Sequence, residues 1–210
     1  MDTIYKSDTK RVFLTFDDGP SPVTSKILDI LKQENVKATF FILGSNVDSR
    51  KDVVKRMYEE GHYLANHGYS HTYSKIYSSP QSVLDEYNEC NDKVKNAIEV
   101  PDYNSHLFRF PGGLAGGKYV EIKKEAKEIL LQNNIVNVDW NALTGDAETN
   151  NLSVEFEMTR LTETMGSKNS LVILMHDAAA KSVTADALPQ IIAKLKEEGY
   201  EFKNFYDIIK

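Results

Sequence analysis

Short apolar runs alternate with amphipathic helical patterns along almost the whole chain, and this alternation limits the possible folds more than any other feature. The predicted strands are Val12–Phe16, Thr39–Leu43, Tyr63–Ala65, Leu107–Phe110, Ile135–Val138, Leu171–Met175 and, more weakly, Glu201–Phe205. The predicted helices are Thr24–Gln33, Arg50–Glu60, Gln81–Ile98, Val120–Gln132, Val154–Met165 and Ala185–Glu197. Apolar strands alternating with helices predict a parallel sheet covered by helices. About seven strands form either a barrel or an open doubly wound sheet, and periodicity does not distinguish the two.

Length and composition indicate a single domain over residues 1–210. The chain has 210 residues, of which 41% are hydrophobic and 27% charged, as in ordinary globular proteins. We find no linker, internal repeat or low-complexity stretch, and Gly112–Lys118 is predicted to be a surface loop. The single cysteine, Cys90, excludes an internal disulfide and a cysteine-rich zinc module, so we expect it to pack as a small apolar residue.

Charge and hydropathy argue against a nucleic-acid partner and against a membrane span. The net charge is −6 and no Lys/Arg cluster follows a helix or an aromatic row, which argues against nucleic acid. No apolar run is long enough to span a membrane. The segment Met1 to Lys10 is polar and lacks the apolar core of a signal peptide, so the protein is either intracellular or exported by a segment missing from this sequence.

Ionisable side chains gather where the predicted strands end. They are Asp17 and Asp18 after the first strand, His67 and His71 after the third, Arg109 in the fourth, Asp139 followed by Trp140 after the fifth, and His176 after the sixth. In barrels and in open α/β sheets, the carboxyl ends of the strands line the active site. We therefore expect these groups to share one rim.

Asp18, His67 and His71 are the candidate metal ligands. Histidines at positions i and i+4 of a helical turn lie on one face and can bind one ion. A carboxylate from another strand completes a two-histidine, one-carboxylate set that suits Zn²⁺ and other first-row divalent ions. The histidine pair and the Asp-Asp-Gly-Pro turn are each weak signals alone, and it is their joint placement at strand ends that supports the site.

The remaining polar residues are candidates for proton transfer. Asp17, beside the metal-binding carboxylate, is placed to take a proton from an activated water, with Arg109 keeping it ionised and oriented. His176 is placed to protonate a leaving amine, and Asp139 is expected to keep it charged. Asp146 is interpreted as a turn residue on the rim, with contact to substrate as the alternative.

Together these motifs resemble the polysaccharide deacetylases with a NodB-homology domain, carbohydrate esterase family four. The resemblance begins at the segment TFDDGP, Thr15–Pro20, and runs in the expected order to His176. It implies a distorted (β/α) barrel and one divalent metal ion, Zn²⁺ first and Co²⁺ or Mn²⁺ as alternatives.

The resemblance also implies a role for each matching residue. Asp17 is the general base, Arg109 its partner, His176 the general acid and Asp139 the residue that orients this acid. Asp18, His67 and His71 bind the metal. Gly112 contributes its backbone N–H to the oxyanion, Trp140 walls the site, and Leu174 lines the pocket for the acetyl methyl group.

Two positions depart from the family pattern. Gly68 stands where the family has a serine or threonine that braces the metal-binding loop, so we expect that loop to be held differently or to be more mobile. Gly112 stands where the family has tyrosine. Glycine keeps the backbone N–H, so we expect the chemistry to survive in a more open cleft.

The resulting expectation is an enzyme that removes N-acetyl groups from N-acetylglucosamine units, with peptidoglycan as the first candidate polymer. An acetyl xylan esterase or a chitin-oligosaccharide deacetylase with the same site is the alternative, and a non-catalytic carbohydrate-binding relative is a remote one. The substrate class implies an extracellular or wall-associated protein, and a monomer is expected.

Overall fold

Eight strands form one sheet in which every pairing is parallel. The structure is a computed structural model that describes residues 2–209. The strands are β1 Arg11–Asp17, β2 Thr39–Ile42, β3 Tyr63–Asn66, β4 Leu107–Phe108, β5 Val136–Asn137, β6 Ala142–Leu143, β7 Ser170–His176 and β8 Glu201–Lys203. Their order is β5-β4-β3-β2-β1-β7-β6, and β8 pairs with the first half of β1.

Helices connect the strands and cover the sheet. They are α1 Pro22–Glu34, α2 Gly44–Val47, α3 Lys51–Glu59, α4 Tyr73–Ile76, α5 Pro80–Ile98, α6 Val120–Gln132, α7 Val154–Met165 and α8 Ser182–Glu197, with short 3-10 helices at Asp2–Tyr5 and Phe205–Asp207. Two helices begin with a capping serine: the hydroxyl of Ser21 accepts from the N–H of Val23 at the start of α1, and that of Ser153 from the N–H of Phe156 at the start of α7. Gly61 and Gly199 have φ of 79° and 81° where α3 and α8 end.

The ends of the sheet are brought together by the chain itself. β5 and β6 are the outermost strands of the sheet order, yet only residues 138–141 separate them in sequence. A four-residue link spans little more than about 17 Å even when extended, so the sheet must curve back on itself. Helices surround this curved sheet. The distorted (β/α) barrel implied by the family resemblance is thus confirmed, and the open doubly wound sheet is excluded.

Both faces of the sheet are buried, which explains the continuous apolar runs. Along β1, Val12, Leu14 and Phe16 pack with the apolar faces of the helices, whereas Phe13 points to the opposite face. There it stacks on Phe205 at 5.1 Å between ring centroids, in a cluster that fills the interior of the barrel. A strand buried on both faces carries no alternating polar residues. β1 is buried on both faces from Val12 to Asp17, and it lies inside the sheet between β2 and β7.

The predicted elements agree with the structure except for the shortest ones. Each predicted strand overlaps an observed one, and α6 and α7 have the predicted bounds. The two-residue strand β6 and the four-residue helices α2 and α4 were not predicted, because two to four residues carry no measurable periodicity. Among residues 2–209, no helix is both long and apolar enough to cross a membrane.

Candidate active site and metal centre

The strand order places the predicted polar residues at one rim. β1 lies between β2 and β7, and Asp17 is in register with Phe41 on one side and with His176 on the other. The strand β3, two positions from β1, ends at Asn66, and His67 follows it directly. Because all strands are parallel, their carboxyl ends meet at the same edge. The predicted rim is therefore present, and it surrounds a cleft of about 430 Å³.

Asp18, His67 and His71 form a cluster with the geometry of a metal site. One ligand atom from each residue lies within 4.8 Å of the others. The Oδ1 atom of Asp18 is 3.6 Å from Nε2 of His67 and 3.5 Å from Nε2 of His71. This Oδ1 atom is buried and has no hydrogen-bond partner. A buried carboxylate oxygen without a donor is costly unless a cation satisfies it.

The hydrogen bonding of His67 fits metal binding. Its Nδ1 lies 2.7 Å from the carbonyl oxygen of Arg109, which can only accept, so Nδ1 carries the proton and the lone pair is on Nε2. Burial lowers the pKa of His67 to about 3, so the ring is neutral. A neutral imidazole oriented by a backbone carbonyl is the usual form of a metal-ligating histidine. The donors present thus fit a divalent cation.

The two histidines do not lie on a helical turn as predicted. Residues 67–71 form a loop between β3 and α4, and His71 has φ of 51°. The spacing brings the rings together because the loop folds back, with ring centroids 5.3 Å apart.

Glu86, on α5, braces this loop. Its Oε2 accepts from the backbone N–H groups of Tyr69 at 2.8 Å and Ser70 at 2.6 Å, and its Oε1 accepts from the Ser70 hydroxyl at 2.6 Å. Gly68 has φ of 86°, and a Cβ there would lie 2.9 Å from Ile76. The brace that a hydroxyl after the first histidine supplies in the family comes here from a carboxylate on a helix. Sequence reasoning missed Glu86 because it lies in the polar part of an amphipathic helix.

Asp17 is held by Arg109, as predicted. The fully buried guanidinium donates from Nη1 to Oδ1 of Asp17 at 2.7 Å and to the hydroxyl of Thr15 at 2.8 Å. Burial raises the pKa of Asp17, and the nearby charges of Arg109 and His176 oppose this rise. Oδ2 of Asp17 lies 3.8 Å from Nε2 of His67, so the carboxyl faces the metal cluster. This is a suitable position for a general base.

His176 is paired with Asp146, and the predicted pairing with Asp139 is wrong. Nδ1 of His176 lies 2.8 Å from Oδ1 of Asp146, and the backbone N–H of His176 donates to Oδ2 at 2.7 Å. Burial alone would lower the pKa of His176. The hydrogen bond and charge of Asp146, with the charges of Asp17 and Asp18, outweigh burial and raise it to about 9. His176 is thus a charged proton donor at neutral pH.

Asp139 has a different position. Its carboxylate accepts from the backbone N–H of Leu114 at 3.2 and 3.3 Å, and its backbone carbonyl accepts from Nη2 of Arg109 at 3.1 Å. It therefore ties the loop after β4 to the arginine. Asp146 was interpreted as a turn residue because β6 was not recognised. Had β6 been predicted, Asp146 would have stood just after a strand, like the other site residues.

The predicted substrate-contacting residues line the same cleft. Its lining is Asp17, Asp18, His67, His71, Tyr73, Gly112, Trp140, Ala147, Leu174, His176 and Lys181. Gly112 has φ of 74°, and a Cβ there would lie 2.6 Å from the hydroxyl oxygen of Tyr73. Tyr73, on α4, thus lines the side of the cleft that was expected to be left open by the loss of the family tyrosine.

Fold and site together define a barrel hydrolase with a candidate two-histidine, one-carboxylate metal centre, and the chain belongs to the polysaccharide deacetylase family. The model of that family, described as "Polysaccharide deacetylase", matches residues 5–129.

Its relatives and structural neighbours agree with this family. YheN of Bacillus subtilis, which bears the name of a polysaccharide deacetylase, is 38% identical over 92% of this chain and 66% of its own length. A peptidoglycan-N-acetylglucosamine deacetylase of Bacillus cereus is 34% identical over 95% of this chain and 71% of its own. A carbohydrate esterase family four esterase of Streptococcus mutans has a similar structure, with a TM-score of 0.88 at 35% identity, covering 97% of this chain and 90% of that one. The chain spans about two thirds of the two relatives.

Proposed function

We propose that the protein hydrolyses the acetamido group of N-acetylglucosamine units in peptidoglycan. The observation that carries this proposal is the meeting, in one cleft, of the buried carboxyl of Asp17, the cluster of Asp18, His67 and His71, and the imidazole of His176. The name of the Bacillus cereus relative supports the choice of polymer.

A divalent cation, Zn²⁺ first and Co²⁺ or Mn²⁺ as alternatives, would be held by Asp18, His67 and His71. When bound, it supplies Lewis acidity for the attacking water and for the acetyl carbonyl.

The chain's own residues supply the proton transfers. Asp17 takes a proton from the attacking water, and Arg109 holds its carboxyl in place through Oδ1, leaving Oδ2 toward the cluster. His176 gives its Nε2 proton to the departing amine, because Nδ1 is engaged by Asp146. The N–H of Gly112 stabilises the oxyanion, Leu174 lines the pocket for the acetyl methyl group, and Trp140 walls the site. Asp139 acts indirectly, by positioning Arg109 and the loop at Leu114.

Acetate release from peptidoglycan and from chitooligosaccharides tests the proposal. The protein is loaded in turn with Zn²⁺, Co²⁺ or Mn²⁺, and release is expected with at least one of them. No release with any of the three would refute the function. Acetylated xylan is the comparison substrate, and a strong preference for its ester would replace the amide assignment.

Asp17→Asn provides the matched variant. The amide keeps the shape of the side chain and can still contact Arg109, but it cannot accept a proton from water. We expect acetate release to fall by at least about 100-fold with metal binding retained, since general base catalysis contributes about 10²- to 10⁴-fold. Wild-type rates in this variant would exclude Asp17 as the base.

Location and assembly follow from the same proposal. A protein with this substrate works at the cell wall, outside the membrane, and we propose that it does so as a monomer. The complete cleft within one chain supports the second point. Fractionation of cells and size-exclusion chromatography with light scattering test the two points separately.

A further inference from the structure

Glu157 is a buried acid that lies behind the catalytic histidine and has no role in the reaction described above. It is in the first turn of α7, and its side chain is inaccessible to solvent. Its Oε1 lies 3.3 Å from the hydroxyl of Thr184, in the first turn of α8, and its Oε2 has no hydrogen-bond partner. No cation forms an ion pair with it among the described residues. A carboxylate buried in this way is costly in its charged form.

Thr184 links Glu157 to the partner of His176. Its hydroxyl lies 3.1 Å from Oδ2 of Asp146, whose Oδ1 bonds to Nδ1 of His176 at 2.8 Å. The result is a continuous series of hydrogen-bond distances from a buried glutamate to the residue that donates a proton in the cleft. Asp146 itself is 1% exposed, so solvent does not compete for these contacts.

The direction of the bonds follows from counting protons. A threonine hydroxyl carries one proton and cannot donate it fully to two carboxyls. Asp146 receives two N–H bonds from His176 and is the more favourable place for the negative charge. Thr184 therefore donates to Asp146, and Glu157 must be the protonated partner that donates to Thr184. Burial, with the nearby charge of Asp146, raises the pKa of Glu157 to about 7, whereas the hydroxyls of Thr184 and Thr144 and the charge of Lys181 act to lower this pKa.

We propose that Glu157 is a positioning residue which, as a neutral acid, donates through Thr184 to Asp146 and so holds the carboxylate that orients His176. The bond from Thr184 fixes Oδ2 of Asp146, which leaves Oδ1 directed at Nδ1 of the ring. Nε2 of His176 is then the nitrogen available to the cleft. The consequence for catalysis rests on the proposed function, whereas the orientation of His176 does not.

Four variants test the proposal. Glu157→Gln keeps a neutral donor and Thr184→Ser keeps the hydroxyl, whereas Glu157→Leu and Thr184→Val remove the donor at each step. Glu155→Leu is the matched control, because Glu155 is an exposed acid in the same turn of α7. Thermal unfolding and zinc content of each purified variant identify any loss that comes from misfolding.

Two measurements are made on each zinc-loaded variant. The first is the proton NMR signal of His176 Nδ1–H, which reports the bond to Asp146 without any substrate. The second is the pH profile of kcat for acetate release. We expect Glu157→Leu and Thr184→Val to shift the His176 signal upfield or to broaden it. Both variants should lower kcat at least about 10-fold with KM unchanged, and should move the alkaline limb of the pH profile to lower pH. Glu157→Gln and Thr184→Ser should retain the His176 signal and at least about a third of the wild-type kcat.

Three results would overturn the proposal. One is an unchanged His176 signal in both Glu157→Leu and Thr184→Val. Another is a loss in Glu157→Gln as large as in Glu157→Leu, which would mean that an ionised glutamate is needed. The third is a loss in Glu155→Leu equal to that in Glu157→Leu. If the signal responds as expected but no variant releases acetate, the network stands and the proposed function fails.

Discussion

Two of the three metal-cluster residues adopt a left-handed backbone that side chains other than glycine seldom take. Asp18 has φ of 76° and His71 has φ of 51°. Such a conformation costs roughly 1–2 kcal/mol per residue and persists only where neighbouring contacts enforce it. Asn46 donates to the carbonyl of Asp18 at 3.0 Å, and Glu86 holds the two residues before His71. The cluster is therefore set in place by the protein before any cation binds.

Glu86→Ala tests this preorganisation. The variant leaves two backbone N–H groups and a hydroxyl without their acceptor, so the loop that carries His71 loses its support. We expect zinc affinity, measured by competition with a chromophoric chelator, to fall by about 10- to 100-fold, as for other residues that orient metal ligands.

Glu89→Ala is the control for that experiment, because it removes the same charge from an exposed position on the same helix. It should leave zinc affinity within about twofold. Equal losses in the two variants would indicate a general effect of charge near the site.

The pairing of His176 predicts how activity depends on pH. Its pKa is raised to about 9, so the proton donor is present at neutral pH and kcat should fall as pH rises through about 9. A cation bound near Asp18 offsets part of that rise. Because 6.5 is the ordinary value, the pairing also stabilises the fold below pH 6.5, and this contribution is lost as pH rises through about 9.

Asp146→Asn removes the main cause of the shift and leaves burial, which lowers the pKa of His176. We expect the alkaline limb of the pH profile of kcat to move to a pH about two units lower. Asp139→Asn is the comparison, since Asp139 does not contact His176, and it should leave the position of the limb unchanged whatever it does to kcat. A shift in Asp139→Asn alone would restore the original prediction.

At the scale of elements, the length of a helix or strand decided whether the sequence could predict it. The hydrophobic pattern of the sequence predicts helices such as α6 and strands such as β1. The strand β6 has only two residues and is defined by its pairing with β7, so no such pattern predicts it. The misassignment of Asp146 followed from that missing strand. The brace on the metal loop was hidden for another reason: Glu86 and Tyr69 are distant in sequence, and no local pattern shows that α5 lies against the loop.

Ser153→Ala tests the start of α7, the helix that carries Glu157. Its hydroxyl accepts from the N–H of Phe156 at 3.1 Å, and losing such a cap costs about 1 kcal/mol of unfolding free energy. Thr159→Ala, at an exposed position within the same helix, should change stability by less than about 0.5 kcal/mol. Urea unfolding of both variants measures the difference, and equal effects would show that the cap contributes nothing.

At the scale of the whole molecule, we expect cation binding and folding to be linked. The three ligands come from the end of β1 and from the loop after β3, so they form a site only in the folded chain. A cation at 100 times its Kd should add about 2.7 kcal/mol of stability. For a domain of this size that is a rise in Tm of roughly 5–10 °C.

Differential scanning calorimetry with zinc, with magnesium and with a chelator measures the effect. Magnesium should give little shift, because the two histidine ligands suit it poorly. Asp18→Asn should abolish the zinc shift. A zinc shift that survives in Asp18→Asn would place the ion elsewhere.

β1 pairs with β2, β7 and β8 and ends at Asp17, so the strand that organises the barrel also carries the proposed base. Selection therefore constrains β1 both for folding and for catalysis, whereas it constrains the loop that carries His71 only for catalysis. Lineages that abandon hydrolysis should lose the rim ligands first and keep β1 long afterwards. In such descendants an intact β1 would be a record of ancestry and would say nothing about present activity.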